Sequence, residues 1–271
     1  MKTMMTRVVT GAALVAALSV ALALGGWWFA VLFMASIGLS MYEMFRALKA
    51  AGHHPAEWPV WACAALSVPL LTATVGKSAL LLPLLADTCA VVIVCVMFRP
   101  NPELDDVFTS VLPLFSVLLP GMCMLGLFRA PSRQHELMLM ILSFGVPLFG
   151  DAAAYFVGSM FGRRKLCEKI SPHKSVEGAA AGLAGSVIFA LTVWLIFAGH
   201  IQLPPLWHAL ALGVLGGLAG QGGDLFASFI KRHCGVKDYG TIFPGHGGMM
   251  DRLDSVYWAT VVMYVYMAWF L

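Results

Sequence analysis

The chain has 271 residues, 60% of them apolar and 11% charged, with a formal net charge of +3 and a mean hydropathy of +0.84. A soluble domain carries about 25% charged residues, so this composition excludes an ordinary soluble enzyme and points to a polytopic membrane protein. The six cysteines (Cys63, Cys89, Cys95, Cys123, Cys167, Cys234) show no zinc-ligand spacing and are read as reduced thiols.

Apolar runs of about 17 to 25 residues cross a bilayer as helices. In chain order they predict nine, near 8–24, 27–45, 58–76, 78–98, 107–128, 136–160, 178–199, 205–230 and 254–271. The expected fold class is therefore all-α, a polytopic membrane bundle. The opening MKTMMTRVVTGAALVAALSVALALGG resembles a signal peptide. A second apolar run starts at Trp27, almost at once, so a retained first helix is the expectation. Asp87 and Asp151 are carboxylates inside predicted spans, where an ionisable residue is a functional candidate by default. Residues 1–135 are read as a set of about five N-terminal spans. Residues 136–271 are read as the catalytic membrane region, with polar loops at 161–177 and 231–253. No internal repeat is visible.

Lysine and arginine set the orientation. Lys77, Arg129 and Arg133 would lie on one side and the remaining 14 of the 17 basic residues on the other. The positive-inside rule then puts the N-terminus, both polar loops and the RPNPELDD turn (99–106) in the cytoplasm. A charged, water-soluble reactant would meet the protein there.

Chemistry gathers in two segments. In QGGDLFASFIKRHCGVKDYGTIFPGHGGMMDRLDS (221–255), Asp224, Ser228, Lys231 and Arg232 share one helical face. Asp251 and Asp254, three apart, share another. A DRxD run is often only a capped helix start with acids in its first turn. That reading leaves Asp224 and the Gly247-Gly248 pair unexplained; glycines admit close backbone approach to a ligand. Magnesium chooses carboxylate oxygens and keeps waters for substrate phosphates, while Lys231, Arg232, Lys237 and Arg252 supply phosphate-neutralising charge. For His246, phosphate contact, proton transfer, metal ligation and a plain structural role all stay open. The second segment is DAAAYFVGSMFGRRKLCEKISPHKSVEG (151–178). Its Arg163, Arg164 and Lys165 read as a membrane-edge signal. Its SPHKSVEG turn brings Lys174 and Ser175, both able to hold phosphate, next to Glu177.

The run from Ser228 to Asp254 resembles the signature of phosphatidate cytidylyltransferases, the CDP-diacylglycerol synthases. Its fixed positions stand as Ser228, Lys231-Arg232, Lys237-Asp238, Gly240, Pro244, His246-Gly247-Gly248 and Asp251-Arg252-Leu253-Asp254. The upstream SPHKSVEG is similar to the family's S-P-x-K-[ST]-x-E-G turn, and DAAAY (151–155) departs from its usual Asp-Thr-Gly-Ala-Tyr. The resemblance implies that CTP and phosphatidate give CDP-diacylglycerol and pyrophosphate with magnesium, the number of cations being open. It implies Asp224 and Asp251 as metal ligands. Lys231, Arg232, Lys237, Asp238, His246, Arg252 and Asp254 would form the catalytic set. Ser228, Lys174, Ser175, Gly247, Gly248, Asp151 and Glu177 would contact substrate. A homodimer in the bacterial cytoplasmic membrane, with its site facing the cytoplasm and no nucleic-acid partner, completes the expectation.

The nearest rival is another CTP-using membrane enzyme, a polyprenol kinase or a cytidylyltransferase for a different lipid phosphate, which the HGGxxDRxD ending does not exclude. A transporter would show internal repeats and polar residues near the midplane, whereas here the charge gathers toward one side.

Overall fold

The structure is a computed structural model describing residues 2–73, 81–98, 101, 103–245 and 247–271. Lys77, Arg99 and His246 lie outside the described residues. The described residues of each apolar run lie for the most part in a helical segment. The first four are α1 (Lys2–Leu24), α2 (Gly26–Ala50), α3 (Glu57–Ala73) and α4 (Leu81–Met97). Gly25, at φ 60°, separates α1 from α2, a left-handed conformation that glycine adopts without steric cost. The fifth run is one interrupted rod. In it α5 (Leu104–Pro113) passes through a π turn (Leu114–Leu118) into α6 (Leu119–Gly126) and a 3-10 turn (Leu127–Arg129). Pro113 has no N–H for the ladder, and the wider π turn absorbs the break. There follow α7 (Arg133–Phe161), the hairpin strands β1 (Lys165–Cys167) and β2 (Ser171–Ser175), α8 (Val176–Ala198), α9 (Trp207–His233) and α10 (Met250–Phe270).

Among the described residues, five segments are long and apolar enough to cross a membrane: Gly26–Ala50, Leu104–Arg129, Arg133–Phe161, Val176–Ala198 and Trp207–His233. The protein is an all-α membrane protein whose described sheet is one two-stranded hairpin.

Two of the expected loops come out shorter. Between α7 and α8, residues 165–175 form the β1–β2 hairpin, with Lys165 opposite Ser175 and Cys167 opposite Ser171, so SPHKS is a strand rather than a turn. α9 continues through Lys231 and Arg232 to His233, and α10 already begins at Met250. Apolar runs underestimate helices that leave the lipid, because the backbone ladder continues where the hydrophobicity stops. Gly235, at φ 67°, supplies the left-handed residue that ends α9.

The chain divides into two compact units, Met1–Gly126 with His233–Arg252, and Leu127–Arg232 with Leu253–Leu271. In the first, α2 buries Phe29, Phe33, Ile37, Met41, Met44, Phe45 and Leu48, one apolar stripe at helical spacing, and packs beside α5, the π turn and α6. In the second, α7 and α8 run closely along each other. Small residues permit this: a Cβ at Gly182 would sit 3.0 Å from the Gly150 carbonyl and 3.1 Å from Ala154. Close approach through small residues is how helices associate without a hydrophobic drive in lipid. All six cysteines are free thiols, as expected.

Candidate active site

In the second unit the end of α7, the hairpin and the start of α8 surround a cleft of 460 Å³. Asp151 and Tyr155 of α7, His173, Lys174 and Ser175 of β2, and Gln221 and Asp224 of α9 line it. Lys174 forms an ion pair with the Asp224 carboxylate through Nζ and Oδ2. Ser228, one turn on, donates from Oγ to Asp224 Oδ1 at 3.5 Å. Asp254 of α10 is only 6% exposed and Lys231 of α9 only 9%. Lys231, Asp224 and Asp151 all act electrostatically on Asp254. Three carboxylates and two lysines, drawn from α7, α9, α10 and β2, thus concentrate in this unit.

The hairpin is held by backbone contacts that occupy some of the expected substrate residues. Ser175 caps α8, its Oγ accepting from Gly178 N at 3.1 Å. Glu177 Oε2 accepts from the Arg163 and Arg164 amides at 3.0 and 3.2 Å. Arg232, exposed at the end of α9, donates from Nε to the Ile170 carbonyl at 3.4 Å. Loss of the Ser175→Ala cap is expected to cost about 1 kcal/mol of stability. The same variant should change kcat/KM for CTP by about threefold or less, since the hydroxyl is already engaged with the Gly178 amide. Thermal melting and steady-state kinetics in detergent would check this; a large, CTP-selective loss in stable protein would assign the hydroxyl to phosphate instead.

In the first unit, the loop 234–249 is fastened around Asp251. Asp251 Oδ2 accepts from Tyr239 N at 2.8 Å and from Gly248 N at 3.0 Å. Phe243 N donates to the Gly247 carbonyl at 2.9 Å, closing a tight turn across Pro244. Gly247, at φ 83°, lies so close to Asp251 that a Cβ would stand 2.8 Å from its Oδ2. Only glycine meets both demands. From α2, Arg46 donates to the Tyr239 carbonyl at 2.8 Å, and Glu43 Oε2 accepts from Met250 N at 2.9 Å. Lys237, Asp238 and Arg252 are exposed on this unit.

The structure therefore gathers Asp151, Lys174, Ser175, Asp224, Ser228, Lys231 and Asp254 in one unit, and Gly247, Gly248 and Asp251 in the other. Glu177 serves the hairpin backbone. His246 lies outside the described residues. The sequence reading missed His173, Tyr155 and Gln221 in the cleft, and Glu43 and Arg46 under the loop. Glu43 carried a usable signal, a carboxylate within a predicted span, which is by default a functional candidate. The cleft-lining Tyr155 and Gln221 carried none, because polar side chains on an apolar helix are placed by packing alone.

The fold is that of an all-α integral membrane protein, and its cleft sets Lys174 against Asp224. A model of the cytidylyltransferase family matches residues 5–270. A phosphatidate cytidylyltransferase of Synechocystis sp. is 33% identical, over 90% of this chain and 89% of its own length. One from Bacillus subtilis is 45% identical over 44% of each chain. Another, from Mycobacterium bovis, is 28% identical over 88% of this chain and 79% of its own. The chain belongs to the cytidylyltransferase family.

Proposed function

We propose that this protein transfers CMP from CTP to phosphatidate, giving CDP-diacylglycerol and pyrophosphate. The observation that carries the reading is the Lys174–Asp224 pair in the α7–α9 cleft, which sets a phosphate-binding cation beside a carboxylate. The phosphate monoester of phosphatidate is already largely ionised at neutral pH, so little general-base help is needed. The difficulty lies in joining two polyanions and stabilising the leaving pyrophosphate, a task met by positioning and electrostatics.

Lys174, Lys231, Arg232, Lys237 and Arg252 would neutralise phosphate charge, and Gly247-Gly248 would let the loop backbone approach CTP. Asp224 and Asp251 are the proposed magnesium ligands, with Asp254 as a further ligand or orienter and Asp151 as a substrate contact. Among the described residues no three His, Cys, Asp or Glu side chains form a ready metal cage. A donor set of separate carboxylate oxygens nonetheless fits a hard cation that takes one or two carboxylates and completes its shell with phosphates and water. Bound magnesium would polarise the phosphates and offset charge on the leaving group. Asp238 and His246 belong to the same proposed catalytic set.

The wider proposal places residues 136–271 as the catalytic region, with the N-terminus and site on the cytoplasmic side, by the basic-residue asymmetry. It also includes a homodimer in the bacterial inner membrane. The direct test is pyrophosphate release by purified protein. Release from CTP that requires both phosphatidate and a divalent cation supports the proposal; release without lipid, or lipid turnover without pyrophosphate, contradicts it.

A further inference from the structure

Glu43 is the most buried carboxylate outside the residues assigned above, with 1% of its surface exposed. An isolated carboxylate removed from water is costly unless hydrogen-bonded. Its Oε2 accepts from Met250 N, the first residue of α10, at 2.9 Å, and the Met249 amide acts on the same carboxylate. Met249 has no side-chain oxygen to cap α10, so a carboxylate from α2 supplies the acceptor that the exposed amides of a helix start require. Negative charge at that position also suits the helix dipole.

Glu43 Oε1 has no hydrogen-bond partner among the described residues. It is packed instead against two glycines of the loop. A Cβ built at Gly248 would overlap this carboxylate, standing 2.5 Å from Cδ, and all three of its nearest atoms would belong to Glu43. At Gly240 a Cβ would stand 2.7 Å from the same Cδ. The absence of a side chain at these two positions makes room for Glu43, a demand separate from nucleotide approach.

We infer that Glu43 is a positioning residue for the nucleotidyl-transfer site. Inserted from α2 beneath Gly240 and Gly248, its carboxylate holds these two glycines and the first turn of α10, and through them Asp251. Arg46, one turn further along α2, fastens the other end of the loop at the Tyr239 carbonyl. The inference rests on the proposal that Asp251 serves the metal and CTP. A displacement of about 1 Å at such a residue costs on the order of 10²-fold in rate.

The test is a double-mutant cycle in the full-length protein, with melting temperature measured alongside kinetics. Glu43→Ala and Gly248→Ala are each expected to lower kcat/KM for CTP by at least about tenfold. Glu43→Ala should also raise the half-saturating magnesium concentration several-fold while leaving KM for phosphatidate unchanged. The combined variant should be no worse than Glu43→Ala alone, because removing the carboxylate frees the space the new methyl needs. Losses that multiply, or a Glu43→Ala enzyme with normal magnesium and CTP dependence, overturn the inference. Where Glu43→Ala does not fold, Glu43→Asp, which withdraws the carboxylate by one methylene, takes its place in the same cycle. Failure of the metal proposal is separable: it would appear as normal metal dependence in Asp251→Asn, whether or not Glu43 and Gly248 are coupled.

Discussion

Asp251→Asn is expected to lower turnover by on the order of 10²–10³-fold, the scale set by removing one group that stabilises developing charge. The substitution is informative because of how the carboxylate is used. Oδ2 accepts from the Tyr239 and Gly248 amides at 2.8 and 3.0 Å. An asparagine oxygen can take both bonds, so the loop keeps its brace. What disappears is the negative charge and the second oxygen, which would hold the cation. The melting temperature should therefore stay within a few degrees while turnover collapses, and added magnesium should restore little. Near-normal metal-dependent turnover in folded Asp251→Asn would show that the carboxylate is a loop fastener only. Asp251→Ala should lose both functions, and its melting temperature should fall as well, since two buried amides lose their acceptor at a cost of about 1–3 kcal/mol each.

The second large effect is expected at Asp224 and Lys174. Their side chains are 26% and 28% exposed, and an ion pair so open to water contributes about 1 kcal/mol or less to stability. If the pair were only a strut between β2 and α9, Asp224→Asn and Lys174→Met would each cost little. If it binds metal and phosphate, Asp224→Asn should reduce kcat by about 10²-fold and Lys174→Met should mainly raise KM for CTP, by about tenfold or more. The two losses should not simply add, since the residues touch. Kinetics of the two single variants and the double variant in detergent would measure this. Wild-type kinetics in both singles would remove the cleft from the reaction.

Much of the architecture was legible because lipid imposes a simple rule: backbone groups must be satisfied within the segment, so a long apolar run becomes a helix. That rule located the helical segments among the described residues but not their ends. Helix α9 carries Lys231 and Arg232 past its apolar stretch, and α10 takes in Asp251, because helix termination depends on local devices such as Gly235 rather than on hydrophobicity. The hairpin at 165–175 escaped because its short strands alternate neither cleanly nor for long. In the candidate site, the shared helical face of Asp224, Ser228 and Lys231 was readable from spacing, while their proposed roles came from the family resemblance. The meeting of Lys174 with Asp224, fifty residues apart in sequence, follows only from the packing of α7, α8 and α9. Glu43 under Gly248 is a longer-range case still, at |i−j| of 207 to its partner Met250. Hydropathy places such a residue in a helix and leaves its partner unspecified.

The central claim is the transfer of a cytidylyl group to a lipid phosphate, and one measurement addresses it most directly. Purified protein would be given phosphatidate, magnesium and CTP labelled at either the α or the γ phosphate, and the lipid product would be counted. Nucleotidyl transfer predicts that α label enters the lipid while γ label leaves as pyrophosphate. Entry of γ label, with the α label left in soluble nucleotide, would identify a CTP-dependent kinase and contradict the account.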